Sequence, residues 1–261
     1  MCHSQTTERS TRTLIARCQY CGRELPKRNF ALPGHKPMLI TLPCDCADAQ
    51  REAERESAEI ERREKAEAFA EVWGRGNVPE EFRHVPAERW AFETAQTLFD
   101  GRSLYFLGEN GRGKTYAACQ VAKAFLIKST YRDEMVMRCW RSFQFTTAQG
   151  VLSSLRSSWD RWDQNEEDVF QRLAGVDLLI LDDIGKGVPS EWAAENMFRL
   201  VDARWSEHKP MIVTSQYTTD DLTDRYAKAG DETMGALMSR LDGWCVGKAF
   251  DGPDRRLSQV V

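Results

Sequence analysis

One octapeptide constrains this chain more than anything else in it. Gly108-Glu109-Asn110-Gly111-Arg112-Gly113-Lys114-Thr115 fits the pattern G-x-x-x-x-G-K-[ST]. It follows an apolar run at 104–107 (LYFL) and opens a stretch of helical composition (TYAACQVAKAFLIKS), the strand–loop–helix setting that the pattern requires. Glycines let the backbone curl so that successive N–H groups point inward at phosphate oxygens. The helix that follows adds the positive end of its dipole. In such a loop Lys114 reaches the β- and γ-phosphates, and the Thr115 hydroxyl is a Mg2+ ligand. Gly108, Asn110, Gly111, Arg112, Gly113, Lys114, Thr115 and the adjoining Tyr116 are the expected nucleotide-binding set, for ATP with Mg2+. With glycine at about 7% of residues, the octapeptide arises by chance in roughly one chain in a hundred of this length, so a second element has to agree.

That element is DLLILDD at 177–183. It places Asp182 and Asp183 at the end of a wholly apolar strand, 68 residues after Lys114. Two acids at the carboxyl edge of a buried strand are costly unless they serve something there. In a nucleotide site Asp182 would hold Mg2+ and Asp183 would orient or activate the attacking water. A solvated turn at the strand end (DDIGKG) is the plainer alternative. The spacing leaves room for a helix, a strand at 143–147 and a helix, the arrangement in which an extra strand separates the phosphate-loop strand from the acidic one.

From about residue 80 the texture is uniform. Apolar runs at 104–108, 143–147, 177–183 and 211–215 alternate with helical stretches such as 193–205. This predicts an α/β fold, a parallel sheet with helices on both faces, over 78–261. Upstream, residues 1–17 are polar without hydrophobic period and read as a flexible tail. Residues 47–77 read as a charged helical linker. Its seven alanines favour a helix over 47–75, with Glu59/Arg63 and Glu61/Lys65 as i,i+4 pairs. Ile60, Phe69 and Val72 are too few for a coiled-coil seam, so a solvated spacer is expected, ended by Gly74, Gly76 and Pro79.

Between tail and linker, residues 18–46 hold Cys18-x2-Cys21 and Cys44-x-Cys46. No apolar run approaches the ~20 residues of a membrane span, and the N-terminus lacks a signal-peptide core, so a cytoplasmic protein is expected. In a reducing compartment close Cys pairs suggest metal before disulfides. Four such thiolates hold Zn2+ tetrahedrally, and a module of about 30 residues needs that metal to fold. A thioredoxin-like redox pair is the alternative for Cys18 and Cys21, without the βαβ pattern that it requires. Cys2, His3 and His35 are alternative ligands, while Cys119, Cys139 and Cys245 read as buried apolar residues.

The segments GENGRGKT, LLILDDIG and KPMIVTSQY, in this order and spacing, resemble the DnaC/DnaI/IstB group of AAA+ ATPases over roughly residues 78–250. Bacterial and phage replicative-helicase loaders of that group are the nearest likeness. The resemblance implies a P-loop AAA+ domain in which Gln216, where the group usually has Asn, reads the γ-phosphate. It puts a trans-acting arginine finger on Arg240, within MGALMSRL at 234–241. A surface salt bridge is the alternative there. Arg255 or Arg256 lies near a sensor-2-like arginine, and an ordinary basic tail explains both equally. Some DnaI-type loaders carry an N-terminal zinc module that docks on the helicase. The order here is similar, so residues 1–75 are the expected arm for a hexameric replicative DNA helicase.

The formal net charge is −4, which excludes a globally basic nucleic-acid coat. The charge is uneven: 101–141 carry eight Lys/Arg against three Asp/Glu, while 142–202 carry five against eleven. Lys123, Lys128, Arg132, Arg138 and Arg141, with Tyr131, Trp140 and Phe143, hold the ingredients of a single-stranded DNA groove, or of a solvated helix face over core aromatics. The combined expectation is a slowly hydrolysing, self-assembling ATP switch that loads a hexameric helicase onto single-stranded DNA. The competing expectations are an IstB-like transposition helper and a zinc adaptor with a nearly inactive nucleotide site.

Overall fold

The computed structural model describes residues 15–32, 34, 36–134, 136–158, 165–227 and 233–254. The chain divides into two compact units between Arg63 and Glu64, a point inside the charged helix α1 (Ala47–Arg75). In the first unit β1 (Lys27–Phe30) and β2 (Met38–Thr41) form an antiparallel hairpin. Among its described residues Cys18 alone is buried. Burial cannot hold such a unit together, and its order has to come from the cysteine cluster. The opening of α1 is solvated, with ion pairs Arg51–Asp48 and Arg55–Glu52 one turn apart. From Glu64 the helix belongs to the second unit and is not the expected solvated spacer: Trp73 is buried, and Phe69 and Val72 pack against the same core.

The second unit is built on five strands: β3 (Ser103–Leu107), β6 (Phe143–Thr147), β7 (Leu178–Asp182), β8 (Met211–Ser215) and β9 (Cys245–Ala249). They form one parallel sheet in the order β6-β7-β8-β3-β9. Alternate side chains of each strand point to opposite faces, and both faces are covered. Leu178 and Ile180 pack with α2 (Arg89–Phe99) and α3 (Lys114–Lys128). Leu179 and Leu181 pack with α4 (Ala148–Ser158), α5 (Glu166–Gly175), α6 (Glu191–Ser206), α7 (Thr219–Ala227) and α8 (Thr233–Trp244). The expected α/β architecture is therefore observed. The phosphate-loop strand β3 and the acidic strand β7 are separated by one strand, and it is β8. The strand at 143–147 lies at the sheet edge.

Several features were not anticipated, the edge strand β9 among them. A hairpin, β4 (Thr130–Asp133) with β5 (Val136–Cys139), follows α3. The end of α1 is also set differently from its glycine punctuation. The left-handed residue is Asn77 (φ 56), while Gly76 is required because a Cβ there would lie 2.3 Å from the Phe143 ring. Among the described residues no helix is long and apolar enough to cross a membrane.

Candidate functional site: a phosphate loop facing two carboxylates

The loop between β3 and α3 closes over the carboxyl edge of the sheet. Gly113 adopts φ 86 to deliver the chain into α3, a conformation strained for any residue with a Cβ. Gly108 is needed for a different reason: a Cβ there would meet the Phe250 carbonyl at 2.5 Å. Lys114 is buried, and its Nζ donates to the carbonyls of Gly108 (2.7 Å) and Glu109 (3.0 Å). Arg112 pairs with Glu109 beside the loop.

Across β8 stand the acids. Thr115 Oγ1 donates to Asp182 Oδ1 at 2.9 Å, and Thr214 Oγ1 donates to the same oxygen at 2.7 Å. Burial pushes the Asp182 carboxyl above the ordinary carboxylate range, and the neighbouring Asp183 charge adds to this. The bonds from Thr214 and Thr115 and the Lys114 ammonium oppose it. Asp183 is the first residue beyond β7 and takes φ 57. Its N–H donates to Thr214 Oγ1 (2.9 Å) and its Oδ2 accepts from Lys186 Nζ (2.7 Å).

A cavity of about 1010 Å³ is lined by Asn110, Gly111, Gly113, Lys114, Thr115 and Tyr116 on one side and by Asp182, Asp183 and Lys186 on another. Glycine N–H groups, a lysine, and a hydroxyl within hydrogen-bonding distance of a carboxylate suit a nucleotide triphosphate with a divalent cation. Phe82, Trp90, Lys248 and Phe250 also line the cavity, and Lys248 Nζ sits 4.4 Å from the Trp90 ring centroid.

Gln216 lies just past β8 with an exposed side chain and is not part of this lining. Ser215 ends the strand, accepts from the Tyr217 N–H at 3.0 Å and donates to the Ile184 carbonyl. Thr214, inside β8, is the polar side chain that meets both acids. Sequence reasoning missed it because a threonine in MIVTS reads as an ordinary strand former. Arg240 lies outside the lining too: on α8 it pairs with Asp202 of α6 at 2.7 Å and stacks over Phe198. Arg255 and Arg256 lie outside the described residues.

The basic stretch is mostly committed to the fold. Lys123 donates to the Val85 carbonyl, Lys128 to Gln96, Arg132 pairs with Glu64, Arg141 with Asp177, and Phe143 stacks on Trp73. What remains outward is Tyr131 stacked on Trp140, with Arg138 over the Trp140 ring, on the β4–β5 hairpin.

The outlines of an ATP site and its fold are matched by known proteins. A family model described as IstB-like ATP binding protein covers residues 97–258, more than half of the chain. The chain belongs to the IstB-like ATP-binding protein family. Within curated relatives of this family member, the replicative helicase loader DnaC of Escherichia coli (strain K12) is 21% identical over 230 residues, covering 82% of this chain and 88% of DnaC. The replicative helicase loader DnaI of Bacillus subtilis is 25% identical over 162 residues, covering 60% of this chain and 48% of DnaI. Solved structures of DnaI (TM-score 0.53, 18% identity, 67% of this chain and 95% of that one) and of the DnaC helicase loader (TM-score 0.52, 18% identity, 66% and 100%) share the AAA+ fold.

In the first unit the four candidate zinc ligands converge. Cys18 and Cys46 sulfurs are 3.8 Å apart, Cys21 and Cys44 sulfurs 3.5 Å, and all four lie within 4.8 Å of one another. A tetrahedron with Zn–S bonds of ~2.3 Å has sulfurs ~3.8 Å apart, so the cluster fits zinc. The Arg23 guanidinium beside Cys21 pulls that thiol down to about 6, while the Cys46 N–H lowers the Cys44 thiol but desolvation and its sulfur neighbours push it up to about 11, as where two thiols share one proton. Cys2, His3 and His35 lie outside the described residues. Cys119 and Cys139 are buried, and burial pushes the Cys245 thiol up to about 12, as for inert packing residues.

Proposed function

We propose that this ATPase loads a hexameric replicative DNA helicase onto single-stranded DNA, with ATP binding as the switch and slow hydrolysis as the release. The observation that carries the proposal is the match to DnaC along most of both chains, together with a complete phosphate-loop and carboxylate site. In this reading the loop from Gly108 to Tyr116 binds the nucleotide and Lys114 holds its phosphates. Asp183 orients water, and Arg240 leaves Asp202 to reach the site of a neighbouring copy. The Thr115 hydroxyl and the Asp182 carboxylate hold Mg2+, which would neutralise charge on the phosphate oxygens. The zinc-fitting module, followed by the solvated opening of α1, is the arm for the helicase. The hairpin face of Tyr131, Arg138 and Trp140 is what remains of the expected DNA contact.

Co-purification of the full chain with a candidate replicative helicase, with and without ATP, tests the reading. Capture that needs ATP and is lost on deletion of 1–46, which leaves the core residues Phe69, Val72 and Trp73 in place, supports it. No capture in either condition refutes it. Replacing Arg240 by Ala is expected to lower turnover in the assembled state without weakening nucleotide binding. A second reading, an IstB-like transposition helper, is favoured by the family description itself. Capture of a transposase and not of a helicase would select it.

A further inference from the structure

The expected γ-phosphate reader, Gln216, does not line the cavity, and another polar side chain does. We propose that Lys186 distinguishes ATP from ADP in this site: its ammonium passes from the Asp183 carboxylate to the terminal phosphate when a triphosphate is bound. This rests on the nucleotide-binding reading above.

Lys186 stands in the cavity wall with Asp182 and Asp183, facing the space shared with Lys114 and Thr115. Its partner is one carboxylate oxygen, Asp183 Oδ2 at 2.7 Å, and the Lys186 side chain is 55% exposed. A half-solvated lysine–carboxylate pair of this kind is weak, so a more highly charged anion entering the same space can take the ammonium. Of the other two cations in the lining, Lys114 belongs to the phosphate loop that ADP and ATP would both occupy, and Lys248 lies over Trp90.

The backbone around Lys186 is fixed while its side chain is not. Asp183 is held at φ 57 by its N–H bond to Thr214, and the Ile184 N–H donates to the Thr214 carbonyl. A Cβ on Gly185 would lie 2.2 Å from Leu222, which fixes the close approach of α7. Arg225 on α7 donates to the Gly187 carbonyl at 2.7 Å and to the Tyr217 hydroxyl at 3.0 Å. A left-handed non-glycine residue persists only where its surroundings over-determine it. The turn is therefore a rigid mount, and the four-carbon stem of Lys186 supplies the movement.

The test is equilibrium binding to the full chain of ADP and of a non-hydrolysable ATP analogue, each with Mg2+. Lys186→Met is expected to bind the analogue about tenfold more weakly, a loss of about 1.4 kcal/mol, with ADP affinity within twofold of the parent. Lys186→Arg is expected to recover most of the difference. Removing Lys186 also leaves Asp183 to repel the γ-phosphate, so the comparison is repeated in Asp183→Asn, where the selective loss is expected to persist. Analogue and ADP affinities that stay unchanged, or fall together, overturn the assignment, as does a loss that vanishes in Asp183→Asn. If the parent chain binds neither nucleotide, the nucleotide-binding reading falls first. If the parent binds both and Lys114→Met abolishes binding, a flat result at Lys186 refutes the Lys186 assignment alone. Thermal melting of each variant confirms that the chains compared are folded.

Discussion

Replacing Thr214 by valine removes one hydroxyl and almost no volume, and it tests whether that hydroxyl sets the acidic side of the site. Thr214 is fully buried, donates to Asp182 at 2.7 Å and accepts from the Asp183 N–H at 2.9 Å. A neutral hydrogen bond contributes about 1 kcal/mol and one to a charged group about 1.5–3 kcal/mol, so Thr214→Val should cost about 3 kcal/mol. For a chain of this size that is a fall in Tm of roughly 6–12 °C. Thr214→Ser keeps both bonds and loses one methyl, so it should cost about 1 kcal/mol. The functional consequence has a definite sign. The Asp182 carboxyl is already raised by burial, and the Thr214 bond is one of the interactions holding it down. Without that bond it rises further, and a protonated carboxyl is a poor Mg2+ ligand. Mg2+-dependent nucleotide binding should then weaken sooner on acidification, its acid limb moving to higher pH. Calorimetric melting and nucleotide titrations over Mg2+ and pH measure both effects. The reasoning is refuted if Thr214→Val melts within about 2 °C of the parent, or if serine and valine variants share one acid limb.

Other perturbations have equally definite directions. Because the folded state raises the Asp182 pKa, it binds that proton more tightly than the unfolded chain does. Stability from this group is therefore lost as pH rises through the carboxylate range. Asp182→Asn should raise Tm at pH 7, by an amount that shrinks on acidification, while abolishing Mg2+-dependent nucleotide binding. Arg204 is fully buried and its guanidinium bonds to the carbonyls of Leu173, Ala174, Val176 and Pro210, tying α5 to α6 and to the start of β8. Burial pulls it down to about 9, so it stays charged at neutral pH. Arg204→Met strands those carbonyls and should cost about 3–5 kcal/mol, or roughly 6–20 °C in Tm. In the first unit, chelation should release one Zn2+ per chain and abolish the protection of residues 15–46 against hydrogen exchange. Retention of zinc should weaken on acidification, as protons compete with the metal for the four thiolates.

The parts of this molecule that were legible in its sequence are those where a local rule leaves no choice. The phosphate loop is one, because no other residue types make that curl. Another is the helix at 47–75, whose alanine-rich charged composition announces it, although the burial of Trp73 at its end was not announced. The paired cysteines are a third, since their unit contains no apolar core to compete with the metal. The parts that were not legible depend on which residue faces which across the chain. The hairpin after α3 has Asp133 and Glu134 at its turn and no glycine, so nothing local announced it. Arg204, one charged residue on an amphipathic helix, carries no local mark of burial. It is buried because the carbonyl ends of α5 converge on it from about thirty residues away. Likewise the basic stretch at 101–141 is real in sequence, but Val85, Gln96, Glu64 and Asp177 take up four of its eight cations.

The same distinction explains the γ-phosphate side of the site. The strand β8 stops at Ser215, whose hydroxyl turns the chain by accepting from Tyr217, so Gln216 leaves the sheet edge instead of continuing along it. Its place near the acids is taken from two directions. Thr214 acts one residue earlier within the strand, and Lys186 acts from the turn that follows β7. Neither residue belongs to the octapeptide or to the carboxylate pair, and neither has a spacing that marks it. Thr214 becomes visible only when β8 is seen to lie between β3 and β7, because that neighbour relation brings the end of MIVTS against Asp182 and Asp183, and Lys186 only when the turn after β7 is seen to fold it back onto Asp183. Chemistry carried by a loop can be read along the chain, whereas the tuning of that chemistry is set by strand order.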